Sequence, residues 1–195
     1  MVRFKHENTQ TGRRFACNLE CNRCTARTNG GVRCRRRVCI GTKVCFQHRK
    51  RDMGLRIAPS NIPGAGKGLF ATRRLPPNTH VVTYDGEKLT DAQLDQRYGT
   101  DNNGGHAPYG LKVTQPSAQH RGKTVDSACQ RSLASIINGS RTRSLSNVRY
   151  SNSARADGSI KVFTRNRAVQ PGTELLAWYG AGYWASAANS RHTTR

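Results

Sequence analysis

Six of the seven cysteines lie between Cys17 and Cys45, and the run closes on Cys45-Phe46-Gln47-His48, a C-x2-H knuckle. Zinc takes four soft or borderline ligands at the corners of a tetrahedron. Cys24, Cys34, Cys45 and His48 supply such a set, with Thr28 and Gly30-Gly31 forming a tight turn between the first two. Cys17, Cys21 and Cys39 remain over. Cys21 could replace Cys24, or the extra thiols could form a second site short of one ligand. So short a segment cannot build an apolar core, so a structural Zn2+ ion is its expected staple. The competing reading is free thiols in a basic arm. Disulfides are not expected, because bridges would spread over the whole fold. The N-terminus also lacks the apolar segment of a signal peptide, so an intracellular, thiol-reducing compartment is the expectation.

Charge adds a second chemistry. The 195 residues carry 33 Lys and Arg against 11 Asp and Glu, a formal net charge of +22. Such a chain is drawn to polyanions, and Arg33, Arg35, Arg36 and Arg37 concentrate cations beside the expected metal. These arginines suit phosphate contacts or nuclear import. No sequence-reading recognition helix accompanies them, so nucleic-acid binding would be nonspecific. No run of 18 apolar residues exists, which excludes a helical membrane span.

The elements that must hold these residues follow from texture. Residues 1–16 are polar, basic and without period, as in a disordered basic arm. Residues 17–50 form the cysteine module, 49–54 a linker, 55–185 a larger domain and 186–195 a tail. From Leu55 the chain shows short apolar alternations broken by Gly, Pro, Asn and Asp, the rhythm of a β-rich domain. Strands are expected at 55–58, 68–71, 80–85, 109–114, 124–127, 148–153, 160–164 and 174–179. Residues 62–66 and 76–78 form turns, and Asp157-Gly158 marks a hairpin. Thr90 caps a short helix over 91–98 that stops at Gly99, 101–107 is a polar loop, and 133–137 is a short buried run.

Three segments, in order, resemble the SET-domain protein lysine methyltransferases. The first is Gly64-Ala65-Gly66-Lys67-Gly68-Leu69-Phe70-Ala71. The second is Ile136-Ile137-Asn138-Gly139-Ser140, with Asn147 beyond it, where Gly139 replaces the family's histidine and Arg141 its cysteine. The third, Pro171-Gly172-Thr173-Glu174-Leu175-Leu176-Ala177-Trp178-Tyr179-Gly180, is similar to the E-L-L-x-W-Y-G form of PR-type SET domains. The resemblance implies a mainly β fold of small sheets with a pseudoknot and a few short helices. It implies S-adenosyl-L-methionine as cofactor, contacted by Gly66, Lys67, Gly68, Leu69, Asn138, Gly139 and Tyr179. The cysteine run is likewise similar to a small C-x3-T-x-x-G-x-x-C…C-x2-H zinc module.

Methyl transfer from a sulfonium to an amine is an in-line displacement, so alignment and exclusion of water do most of the work. By the resemblance, Tyr179 places its hydroxyl beside the transferring methyl, and Tyr109 walls the lysine channel. Tyr183 and Trp184 would cover the lysine or the adenine, or simply dock on the core. Ala177 stands where the family often has a bulky aromatic, leaving room for higher methylation states. Ala185–Arg195 lacks the family's cysteine-rich closing segment. The function implied is protein-lysine N-methylation, with histone tails in nuclear chromatin as the partner and nucleosomes favoured over free basic peptides. The alternatives are an inactive SET-like adaptor and a zinc-dependent nucleic-acid-binding protein in which the SET fold is incidental.

Overall fold

The structure is a computed structural model and describes residues 2–7, 14–39, 41–99, 107–112 and 118–185. Its first strands are β1 (Val2–Glu7), β2 (Arg14–Leu19), β3 (Asn22–Arg23) and β4 (Arg37–Val38), followed by the short helix α1 (Phe46–His48). Next come β5 (Leu55–Pro59), β6 (Lys67–Ala71), β7 (His80–Tyr84), β8 (Glu87–Thr90), α2 (Asp91–Tyr98), β9 (Gly110–Lys112) and β10 (Lys123–Asp126). The last are β11 (Asn138–Gly139), β12 (Val148–Ala154), β13 (Ile160–Thr164), β14 (Leu176–Ala177) and α3 (Ala181–Ala185). The expected mainly β architecture with short helices is what forms, and no helix among the described residues is long and apolar enough to cross a membrane.

The chain divides into two compact units, each assembled from separated stretches of sequence. Unit 1 is Met1–Cys45, Thr83–Ser135 and Asn152–Ile160; unit 2 is Phe46–Val82, Ile136–Ser151 and Lys161–Arg195.

In unit 1, β1 and β2 pair antiparallel from Val2↔Leu19 to Glu7↔Arg14. This corrects the expected disordered arm over 1–16. The physical reason lies in β2, which is tied down by the Cys17–Cys129 disulfide and by Phe15, edge-on to Tyr98 at 5.3 Å between centroids. A second disulfide joins Cys21 to Cys39. Four of the seven cysteines are therefore bridged, against the expectation of thiols and metal ligands throughout. The reason is spatial: Cys129 is 112 residues from Cys17 in sequence, yet their Cα atoms stand 5.0 Å apart.

The sheet β8-β10-β9 carries α2 beside it. Thr90 accepts from the Gln93 amide (3.3 Å) while the Gln93 side chain accepts from the Thr90 amide (2.9 Å), the reciprocal capping box that starts α2. Behind α2, Arg97 binds both Glu87 (2.6 Å) and the fully buried Asp126 (2.7 Å), and Tyr98 donates to Asp126 at 2.8 Å. Burial first, and the Asp126 charge second, hold the Tyr98 phenol far above its ordinary value.

In unit 2, β5 and β6 form an antiparallel hairpin, and most of the five-stranded sheet β11-β14-β12-β13-β7 lies here. Leu55, Leu69, Ile137, Val148, Val162, Thr164 and Leu175 are among its fully buried side chains. The third motif segment changes partners along its length. Leu175 donates to the Leu69 carbonyl (2.7 Å), and then β14 runs parallel to both β11 and β12. Ser140 donates to the Ala177 carbonyl (2.7 Å), and Asn147 clasps Leu176 and Glu174 through backbone and side chain. The late strand β14 is thus inserted between the earlier strands β11 and β12, in keeping with the expected pseudoknot. That switch explains why the strand expected over 174–179 shrinks to two residues. The linker expected at 49–54 is a π-helical turn over Arg49–Met53, ended by Gly54 in the left-handed region at φ 68. The buried run at 133–137 begins as a 3-10 turn over Leu133–Ile136. Residues 113–114 of an expected strand, most of the expected loop over 101–107 and the expected tail at 186–195 lie outside the described residues.

Candidate functional site

Cys24, Cys34, Cys45 and His48 are all buried, and their ligand atoms lie within 4.8 Å of one another. Tetrahedral zinc with bonds of about 2.3 Å to sulfur sets neighbouring sulfurs about 3.8 Å apart. The Cys34 and Cys45 sulfurs stand 4.0 Å apart, so the set fits such an ion. The Cys45 amide also points at the Cys24 sulfur (3.3 Å), a hydrogen bond suited to a thiolate. The turn works as expected: Thr28 donates to Val32 (2.9 Å), and Gly31 adopts φ 76. The Arg36 backbone hydrogen bond pulls the Cys34 thiol down, but burial and the neighbouring sulfurs leave it above its ordinary value. A divalent cation reverses that balance by binding thiolates. Cys17, Cys21 and Cys39, open as extra ligands in the sequence, are removed from the donor set by their disulfides. Two of the module's arginines hold its backbone: Arg23 Nε donates to the Cys34 carbonyl (2.9 Å) and Arg33 Nε to the Cys24 carbonyl (3.2 Å).

Unit 2 gathers the motif residues around one buried carboxylate. Glu174 accepts from Ser60 Oγ and the Asn61 amide, both at 2.7 Å, and from Asn138 Nδ2 at 3.0 Å. Asn138 Nδ2 also reaches the Lys67 carbonyl (3.1 Å) and Ser60 Oγ (3.1 Å). The amide nitrogen of Asn138 therefore ties β11 to the start of β6. Gly68 lies directly against this knot, where an added Cβ would fall 2.1 Å from Glu174 Oε1. That close approach is why no side chain fits there. Gly64 and Gly66 have φ 76 and 70, and their absent Cβ positions face open space, a backbone-lined turn that a ligand can approach closely. Leu69, by contrast, is fully buried in the core, so only its backbone is available to a ligand. Glu174 and Ser60 were not singled out from the sequence. A lone carboxylate in an otherwise apolar strand was the signal for the first; nothing local marked the second.

Tyr179 donates its hydroxyl to the Ile137 carbonyl, one residue before Asn138. Its ring stacks nearly parallel to Trp184, with 8° between planes and 6.3 Å between centroids, and meets Tyr183 edge-on at 4.9 Å. Gly139 sits beneath this cluster. Ala177 has no solvent-accessible surface. Trp178 faces elsewhere, with the Arg143 guanidinium 5.6 Å above its ring.

Tyr109 belongs to unit 1. It is half-buried in the turn before β9, and its carbonyl accepts from the Tyr84 hydroxyl and the Ser127 amide. The Arg131 guanidinium stands 5.9 Å from its ring.

A family model for the SET domain matches residues 66–180, more than half of the chain. The chain belongs to the SET domain family. Among solved structures it is similar to the methyltransferase domain of human PR domain-containing protein 2, at 20% identity and a TM-score of 0.50 over 69% of this chain and 84% of that one. It is also similar to Polycomb Repressive Complex 2 of Chaetomium thermophilum, at 20% identity and a TM-score of 0.52 over 66% of this chain. A further structure of that complex aligns at 19% identity and a TM-score of 0.55 over 76% of this chain. The match spans only 16–17% of the Polycomb chains. These likenesses concern the fold.

Proposed function

We propose that this protein is an S-adenosyl-L-methionine-dependent protein-lysine N-methyltransferase. The observation that carries the reading is the Tyr179 hydroxyl fixed on the Ile137 carbonyl, next to the Asn138–Glu174 knot and the Gly64–Gly68 turn. Bound S-adenosyl-L-methionine would supply an electrophilic methyl group on a sulfonium, to be taken by the neutral lysine amine with S-adenosylhomocysteine as the leaving group. The residues present suit such a group. Gly64 and Gly66 leave open space against the backbone, and the buried Trp184 Nε1 has no acceptor among the described residues. Gly66, Lys67, Gly68, Asn138 and Gly139 would hold it, with Leu69 contributing backbone only. Tyr179 orients the incoming amine with its phenolic oxygen. The stacked rings exclude water, which disfavours the charged lysine and releases its proton to solvent before transfer.

The substrate is a basic protein tail, with histone the leading candidate. One of the similar structures is Polycomb Repressive Complex 2 with trimethylated histone H3. Unit 2 holds fifteen Lys and Arg against two carboxylates, Asp52 and Glu174. Asp52 pairs with Arg51, and Glu174 is buried in the knot. An isolated basic peptide is therefore repelled, and a polyanion must bring enzyme and tail together. A cavity of about 440 Å³ in unit 2, lined by Arg165, Arg167, Ser144 and Ser146 among others, favours phosphate contacts. The proposed setting is chromatin in the nucleus, with the zinc-held module adding nonspecific nucleic-acid contacts. At low salt, nucleosomes should be methylated at least tenfold faster than free histone tails; equal rates would contradict this substrate assignment.

A second reading, an inactive SET-like chromatin adaptor, is favoured by one observation. The Asn138 amide nitrogen is wholly engaged with protein partners. Calorimetry separates the readings, because an adaptor of this kind gives no heat with S-adenosylhomocysteine.

A further inference from the structure

Gly139 stands where the family motif carries histidine, and unit 2 accounts for the missing side chain. A Cβ at this position would lie 2.7 Å from Trp184 Cζ2 and 2.9 Å from two ring carbons of Tyr179. Both neighbours are rigid rings, and Tyr183 packs edge-on against each of them, at 4.9 Å to Tyr179 and 5.0 Å to Trp184. The volume that a residue-139 side chain would occupy is filled instead by an indole delivered from α3. That indole brings a donor with it. Trp184 Nε1 is buried and has no hydrogen-bond partner among the described residues. An unmade bond at a buried donor is destabilising, and an apolar ring would fill the same space without that cost.

We propose that Trp184 is a cofactor-binding residue, and that glycine at 139 and tryptophan at 184 form one matched device. The indole occupies the space above Gly139, backs the Tyr179 ring so that its hydroxyl stays on the Ile137 carbonyl, and donates Nε1–H to an acceptor of S-adenosyl-L-methionine. Helix α3 is then a working wall of the site. This inference rests on the proposed methyltransferase activity, and its test separates the two.

S-adenosylhomocysteine is titrated calorimetrically into the wild-type protein, Trp184→Phe, Gly139→His, and the Gly139→His/Trp184→Ala double variant. In a Trp178→Phe background the indole emission reports Trp184 alone, since the chain has two tryptophans. Trp184→Phe keeps ring packing and removes the donor, so binding should weaken about tenfold while the melting temperature holds. Gly139→His, which restores the family residue, should abolish binding, and the double variant should recover part of it. Emission in the Trp178→Phe background should shift on titration. Unchanged affinity in Trp184→Phe, with wild-type binding intact, overturns the role of Trp184 and leaves the activity standing. No binding by the wild-type protein overturns both. Should Gly139→His not fold, Trp184→Phe still decides.

Discussion

At the residue scale, geometry concentrates function on a few side chains. The Tyr179 hydroxyl donates to the carbonyl of Ile137, the residue before Asn138. Removing it leaves the ring and its stacking in place, so Tyr179→Phe should lower methyl transfer about 100-fold while S-adenosylhomocysteine affinity stays within a few fold. A matching loss of affinity would show that the hydroxyl serves binding rather than alignment. Gly68→Ala is a sharper steric probe. Its Cβ meets Glu174 Oε1 at 2.1 Å, and Glu174 is fixed by three hydrogen bonds. Destabilisation of about 1–3 kcal/mol is expected by denaturant titration, and an unchanged midpoint would mean that the knot yields easily. The grouping of Asn138 and Tyr179 near Glu174 follows from ordered motifs visible in the sequence, while their roles remain part of the proposal. Ser60 was not legible there, because a serine that reaches a carboxylate 114 residues away leaves no local pattern.

At the element scale, the sequence was most reliable where local chemistry decides. The helix cap at Thr90, the hairpin turn at Asp157-Gly158 and the strand β13 are all written in adjacent residues, and each formed as expected. The Cys24–Cys34–Cys45–His48 set was legible too, because zinc imposes its own spacing. The disulfides were not. Whether Cys17 meets Cys129 depends on how unit 1 brings β2 beside the turn after β10, and no spacing rule encodes that. Without a reductant, alkylation after chelation should label three cysteines, and all seven should react after reduction. Seven reactive thiols before reduction would remove both bridges. Breaking the Cys17–Cys129 bridge by Cys129→Ser releases a loop of 112 residues and should destabilise unit 1 by about 2–5 kcal/mol. Zinc content should be one ion per chain and fall to none in Cys34→Ser.

At the scale of the whole molecule, charge and fold act together. The net charge of +22 was plain from composition, but its distribution was not. Division into units leaves Asp52 and Glu174 as the sole carboxylates of the unit that holds the Tyr179 cluster. Phosphate contacts should make nucleosome affinity fall steeply with salt, and Arg167→Ala should shallow that dependence by about one unit of slope. A slope unmoved by this change would place the contacts elsewhere. The central claim is catalysis itself, and its most direct measurement is incorporation of label from methyl-labelled S-adenosyl-L-methionine into nucleosomes. Wild-type protein should label histone lysines, and Tyr179→Phe should reduce incorporation about 100-fold. No incorporation by the wild-type protein, or equal incorporation by both, would contradict the account.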